Sequence, residues 1–407
     1  MSPAVLLSTK SMVTAENEDN NSGHHERVQY QKGVKYLCDG GIETVPTKYI
    51  LPALERPTAM NAGGRRNGDD SKVNIKLPIV DFAQLQGPNR LQALQSLAYA
   101  CENYGFFQLV NHGITEEVMS NMRDVARRFF ELPMTEREKY MSSDMSTPVR
   151  YGTSFNQTKD GVFCWRDFLK LVCNPLSDLL PHWPSSPLDF RKRAVPYVKE
   201  TKMLFAKVVE AILESLGVEE EGAKNKTGEK KGDDNEITKE LVEDGSQLMV
   251  VNYYPECPNP DLTLGIPPHS DYGFLTLLLQ DDVPGLQIHH RGDWLSVEPI
   301  PGAFVINVGD HLEIFSNGRY KSVLHRVVVN SLKSRISIAS LHSLPFETTV
   351  KPSPKLINES NPRRYKDTDF ATFLEYINSC DAKEKNFIES RKLTRRDNET
   401  VNNLRTD

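Results

Sequence analysis

Between Met249 and Leu344 several polar side chains come in pairs two residues apart: Asn252 with Tyr254, His269 with Asp271, Arg335 with Ser337. In a β-strand residues i and i+2 project from the same face, so each pair can aim both side chains into one interior. The stretch Tyr320–Asn330, YKSVLHRVVVN, repeats the pattern around one histidine, with Val323, His325, Val327 and Val329 on a common face. Candidate strands are Leu248–Tyr254, Phe274–Gln280, Gly285–His290, Trp294–Val297, Ala303–Asn307, Ser322–Asn330 and Arg335–Leu344, broken by Gly, Pro and Asp turns such as Arg291-Gly292-Asp293. Short strands in this rhythm predict a double-sheet jelly roll.

The polar set has a chemistry. Two imidazoles and one carboxylate, His269, Asp271 and His325, are the ligand set of a mononuclear Fe(II) site. Three protein ligands leave three octahedral positions open, two for a co-substrate and one for dioxygen. A structural zinc site would close its shell with four ligands, usually several cysteines. Arg335 offers an always-charged planar fork that matches a carboxylate bidentately. Ser337 on the same face adds a hydroxyl, Tyr254 adds another, and Asn252 is placed to orient a ligand or the co-substrate. A lone histidine is ordinarily a core or surface residue; the conjunction points to a metal beside a dicarboxylate.

The segments NYYPECPNPDL (Asn252–Leu262), H-S-D (His269–Asp271), VPGLQI (Val283–Ile288) and NVGDHLEIFSNGRYKSVLHRVVVN (Asn307–Asn330), followed by R-I-S, resemble the plant 2-oxoglutarate- and Fe(II)-dependent dioxygenases. The group meant contains the flavanone 3-hydroxylase-like and salicylate hydroxylase-like enzymes. G-F-F-x-L-V-N-H-G at Gly105–Gly113 matches the family's N-terminal region, and the resemblance spans Val34 to Leu393 apart from one charged insertion. It implies a mixed α and β fold, with a double-stranded β-helix (jelly-roll) core and flanking N-terminal and C-terminal helices. It implies Fe(II) on His269, Asp271 and His325, and 2-oxoglutarate on Arg335 and Ser337 with Tyr254 and Asn252 nearby. Dioxygen and ascorbate complete the cofactors. The implied reaction is oxidation, foremost hydroxylation, of a small phenolic, terpenoid or hormone, with release of succinate and CO2. In related flavonoid enzymes a strand matching the second half of the Arg150–Cys173 hairpin lends side chains to the substrate pocket; here Phe168 and Lys170 occupy those positions. Leu341 stands where anthocyanidin synthase-like enzymes stack an aromatic residue on the flavonoid. Rival readings are a related Fe(II) oxidase without 2-oxoglutarate, and a non-catalytic ligand sensor on the same fold.

Along the chain, residues 1–32 read as a disordered tail. Residues 33–215 read as an N-terminal helical and strand domain, 218–236 as a charged flexible insertion, 241–350 as the jelly-roll core, 351–393 as a C-terminal helical cover and 394–407 as a tail. Apolar periodicity predicts helices at Asn89–Tyr104, Thr115–Glu131 with Thr115 as N-cap, Asp189–Leu216 and Asp367–Asn378. His112 reads as a structural turn residue, Trp165 as packing, and His289, His290 and His311 as exposed turn residues outside the triad.

A net charge of −6 over 407 residues, with no dominant basic patch, argues against nucleic acid as a partner. The six cysteines, Cys38, Cys101, Cys164, Cys173, Cys257 and Cys380, form no C-x-x-C pair and read as reduced thiols. A cytoplasmic or nuclear monomer is expected. No apolar run reaches the ~18 residues that would indicate a membrane span, and Ala4–Leu7 is too short for a secretory signal.

Overall fold

The computed structural model describes residues 32–57, 76–142, 144–154, 160–218, 234–379 and 386–394. The expected tails, and most of the charged insertion, lie outside these residues. The strands are β1 (Ile79–Asp81), β2 (Phe106–Val110), β3 (Val149–Gly152), β4 (Asp167–Val172), β5 (Ser246–Tyr254), β6 (Ile266–His269), β7 (Leu275–Gln280), β8 (Leu286–His290), β9 (Asp293–Ser296), β10 (Phe304–Val308), β11 (His325–Val327) and β12 (Arg335–Ser343). An eight-stranded sheet runs β1-β2-β10-β7-β12-β5-β4-β3, and a four-stranded sheet runs β6-β11-β8-β9. Apart from the parallel β1–β2 pair, neighbours are antiparallel. The two sheets form the jelly roll.

Strand parity decides what faces inward. On β12, Ile336, Ile338, Ser340 and His342 are buried, and His342 stacks on Phe205 of the Phe190–Leu216 helix at 4.4 Å. The helix therefore covers that face, and Arg335, Ser337, Ala339 and Leu341 point the other way, into the barrel. Register carries this parity across the sheet. Ser337 lies opposite Asn252 and Gln280, and Leu341 opposite Leu248 and Thr276. Asn252 in turn lies opposite Phe168, and Val250 opposite Lys170. The inward Leu248, Val250, Leu278, Ala339 and Leu341 are only half-buried, whereas outward Met249, Val251, Leu277, Leu279 and Ile338 are fully buried. The barrel interior is thus open and the outer face is the dry core.

Helices at Arg90–Asn103, Glu116–Glu131 and Phe190–Leu216 pack on that outer face. The Thr115 hydroxyl caps the second of these by accepting from the Val118 N–H. At the other end of the chain, the Phe370–Ser379 helix sets Phe370 and Phe373 against Tyr272, with ring centroids 5.6 and 4.1 Å away.

The structure corrects the sequence reading in four places. The expected Ser322–Asn330 strand shortens to β11, whose pairing with β6 shifts register between His325 and Val327. Strand β6, with two prolines, was not expected. Nor was the helix Asp310–Phe315, which carries His311 inside. His311 is not exposed: it is 3 % accessible, and its Nδ1 bonds the Ser343 hydroxyl at 2.7 Å. His289 and His290 are half-buried, with His290 stacked on Tyr104. All six residues of this helix are buried, so D-H-L-E-I-F has no polar and apolar face to mark it in the sequence. A turn reading misses it because the helix is a single short one.

Candidate metal centre

β6 and β11 bring His269 directly opposite His325, and Asp271 follows β6 by two residues. Ligand atoms of the three side chains all lie within 4.8 Å of one another. Asp271 Oδ1 sits 3.8 Å from His269 Nε2 and 3.7 Å from His325 Nε2. One ion can contact all three.

Hydrogen bonds behind each side chain fix which atom faces the centre. His269 Nδ1 donates to the Pro267 carbonyl at 2.9 Å and His325 Nδ1 to the Val323 carbonyl at 3.2 Å. A carbonyl only accepts, so Nδ1 carries a proton and Nε2 is the ring nitrogen turned toward the centre, the one a metal would take. Asp271 Oδ2 accepts from Thr276 Oγ1 at 2.6 Å and Asn307 Nδ2 at 2.8 Å, leaving Oδ1 toward the histidines. Burial, then repulsion from His325, pushes the His269 imidazole well below its ordinary range, and the Arg166 guanidinium adds to this. Burial alone would raise the Asp271 carboxyl. The two histidines and the Thr276 and Asn307 hydrogen bonds outweigh it, and the group is held below the usual carboxylate range. A neutral His269 imidazole beside an ionised Asp271 carboxylate is the state a metal needs. His269 keeps 27 % of its side-chain surface, the most of the three, which leaves the cluster open on that side.

The loop that carries Asp271 is clamped from outside. Asp310 N–H donates to the Asp271 carbonyl at 2.8 Å, and His311 N–H to that of Gly273 at 3.1 Å. A Cβ at Gly309 would stand 2.1 Å from the Gly273 carbonyl oxygen, so only glycine allows this approach.

On β12, Arg335 is 3 % accessible. Its Nη2 donates to Gln280 Oε1 at 2.8 Å, its Nε to the Val283 carbonyl at 3.1 Å, and its guanidinium lies over the Tyr254 ring at 5.1 Å. Nη1 is buried with no partner. An orphaned charged donor at this depth is costly unless an anion meets it, and it fits the far carboxylate of 2-oxoglutarate. Gly285 makes room, since a Cβ there would meet Arg335 Cδ at 3.0 Å. Ser337 and Tyr254, each 2 % accessible, lie on the same inward face.

Residues 245–343 match the model of the 2OG-Fe(II) oxygenase superfamily, and residues 77–187 that of the non-haem dioxygenase in morphine synthesis N-terminal region. Protein DMR6-like oxygenase 2 of Arabidopsis thaliana is 38% identical over 336 residues, 82% of this chain and 90% of that protein. The chain belongs to the 2OG-Fe(II) oxygenase superfamily. Flavanone 3-dioxygenase 2 of Oryza sativa subsp. japonica is 40% identical over 325 residues, 80% of this oxygenase and 87% of that protein. A crystal structure of JOX2 in complex with 2OG, Fe and JA superposes with a TM-score of 0.74 at 32% identity, covering 89% of this chain and 98% of that one. The oxygenase is an oxidoreductase that uses Fe(II), 2-oxoglutarate and O2. Among the described residues no helix is long and apolar enough to cross a membrane.

The remaining expected residues of the oxygenase also fall on the inward face. Asn252 Oδ1 accepts from Arg166 Nη1 at 2.9 Å. Phe168 is 4 % accessible and lies between the guanidinium groups of Arg150 and Arg166, at 5.2 and 5.1 Å. Lys170 Nζ donates to the Met145 carbonyl at 2.6 Å; burial, then Arg150, pushes its amine down to about 8. Leu341 lies opposite Thr276. Sequence reasoning missed the braces Thr276, Asn307 and Gln280, and missed Arg166. Asn307 opens the N-V-G-D segment and Gln280 ends a candidate strand, but nothing local in the sequence pairs them with Asp271 or Arg335.

Proposed function

We propose that His269, Asp271 and His325 hold the iron of this oxygenase, and that Arg335 and Ser337 hold the far carboxylate of 2-oxoglutarate, with Tyr254 and Asn252 beside it. The substrate is a small plant metabolite or hormone, phenolic or terpenoid in character, and hydroxylation is the foremost outcome. Bound iron would supply activation of O2 coupled to decarboxylation of 2-oxoglutarate to succinate and CO2, and so oxidation of a substrate C–H bond. The residues supply position. The Nε2 edges and Asp271 Oδ1 face one point, Thr276 and Asn307 keep the second carboxylate oxygen occupied, and Gln280 holds the Arg335 fork in plane. Leu248, Val250, Leu278, Ala339 and Leu341 give the open interior apolar walls, which favour an organic substrate over water. Phe168 and Lys170 sit where a substrate would meet the β3–β4 hairpin. A cytoplasmic or nuclear monomer without a nucleic-acid partner is consistent with the −6 charge and with Cys38, Cys101, Cys164, Cys173 and Cys257 being in no disulfide.

The observation that carries this reading is the partnerless Arg335 Nη1 on the same inward face that Asp271's braces Thr276 and Asn307 share. It is tested by anaerobic difference spectroscopy of the protein with Fe(II), before and after 2-oxoglutarate. A weak visible charge-transfer band, lost in His325→Ala, is expected. Fe(II) binding with no band would instead favour an oxidase that does not use 2-oxoglutarate, or a ligand sensor.

A further inference from the structure

Arg166 is the residue before β4, and its side chain turns into the barrel to reach Asn252. It is 7 % accessible, and its Nε is buried without a hydrogen-bond partner. No carboxylate lies within ion-pair distance of it among the described residues. The adjacent Asp167 faces the opposite way and is already engaged: it accepts from the Tyr151 hydroxyl at 2.6 Å and from the Val34 and Lys35 N–H groups at 2.7 and 3.2 Å. Arg166 therefore brings an uncompensated charge into the interior, beside the metal ligands. Two more cations share the inner face of the hairpin, since Arg150 pairs with Lys170 across β3 and β4. A buried guanidinium with spare donors is costly alone and strongly favourable when a carboxylate meets it.

We propose that Arg166 binds a carboxylate of the organic substrate, so that the oxygenase takes an apolar acid. The apolar body would lie along Leu248, Val250 and Leu341, with the anionic group at the hairpin end. This rests on the oxygenase reading above and deepens it. The rival source of the same chemistry is the carboxylate of 2-oxoglutarate nearest the metal, because Arg166 also holds Asn252.

The test uses the full chain with Fe(II) and 2-oxoglutarate under nitrogen, where turnover is absent. Binding of trans-cinnamate, benzoate and octanoate is compared by calorimetry with binding of their methyl esters. At least one acid should bind about tenfold or more tighter than its ester, the scale of one charge-assisted contact. Arg166→Gln should cost the acid about ten- to a hundredfold, leave the ester unchanged and alter 2-oxoglutarate affinity by less than about twofold. Arg166→Lys should recover part of the acid preference, which separates loss of charge from loss of fold. Acids and esters binding alike, no acid binding at all, or an unchanged ratio in Arg166→Gln would each overturn the proposal. A loss of 2-oxoglutarate affinity with the acid-to-ester ratio intact would assign Arg166 to the co-substrate. If Fe(II) and 2-oxoglutarate themselves fail to bind, it is the oxygenase-site assignment that falls, and this inference with it.

Discussion

Each side chain at the centre is held by an atom that does not face it. His269 and His325 spend Nδ1 on backbone carbonyls, Asp271 spends Oδ2 on Thr276 and Asn307, and Arg335 spends Nη2 and Nε on Gln280 and the Val283 carbonyl. What remains exposed inward is the donor set for a metal and one guanidinium edge for an anion. Fixing a ligand from behind raises affinity because the rotamer entropy is already spent on folding. Asn307→Leu removes one brace, and Fe(II) affinity measured by anaerobic titration should fall about 10- to 100-fold. Unchanged affinity would mean that Thr276 alone orients the carboxylate.

At the scale of elements, the two faces of β12 do different work. The inward face carries Arg335, Ser337 and Leu341, and the outward face seals the sheet against the Phe190–Leu216 helix. His342 belongs to the outward set. It bonds Ser340 through Nε2 at 2.9 Å and stacks on Phe205. Burial, with a smaller push from Lys202, lowers it from 6.5 to about 3. The folded chain holds this histidine neutral while the unfolded chain protonates it near 6.5. Stability is therefore fully present above pH 6.5 and is lost as the pH falls toward about 3. One such proton corresponds to a limiting slope of about 1.4 kcal/mol per pH unit. Denaturant unfolding of His342→Gln should show a shallower acid limb by up to about that amount. An identical slope in both proteins would remove His342 from the acid response.

Across the whole molecule, the large sheet serves as a scaffold with helices on one side and an open, half-buried interior on the other. Strands β4, β5, β7 and β12 border that interior from different parts of the chain, so the substrate environment is assembled from segments that are far apart in sequence. Residues 219–233 are rich in Glu, Lys and Gly. Replacing them with a short Gly/Ser linker should leave substrate-dependent succinate release within about twofold, because loop closure depends only weakly on length. A folded variant without activity would give this segment a part in the reaction.

Arg335 and Ser337 share one face because strand parity is a local property, whereas His269 closes β6 and Asp271 lies in the loop beyond it, where parity does not hold. Within a strand a spacing of two fixes a shared face whatever the rest of the chain does, and the residue types then name the chemistry. The long helices were legible for the same reason, from a local period and a cap. What parity could not supply is which strands become neighbours. That Thr276 and Asn307 meet at Asp271, or that Gln280 braces Arg335, follows from the β10-β7-β12 order, which is set by contacts across the whole sheet. Short irregular elements were lost on the same ground. Strand β6 contains two prolines and exists because β11 pairs with it, and the helix that buries His311 is too short to show a period. Arg166 looked like one more charge in a hairpin; only the tertiary packing, which turns Asp167 outward to Tyr151 and leaves Arg166 inside, shows that its charge is left uncompensated.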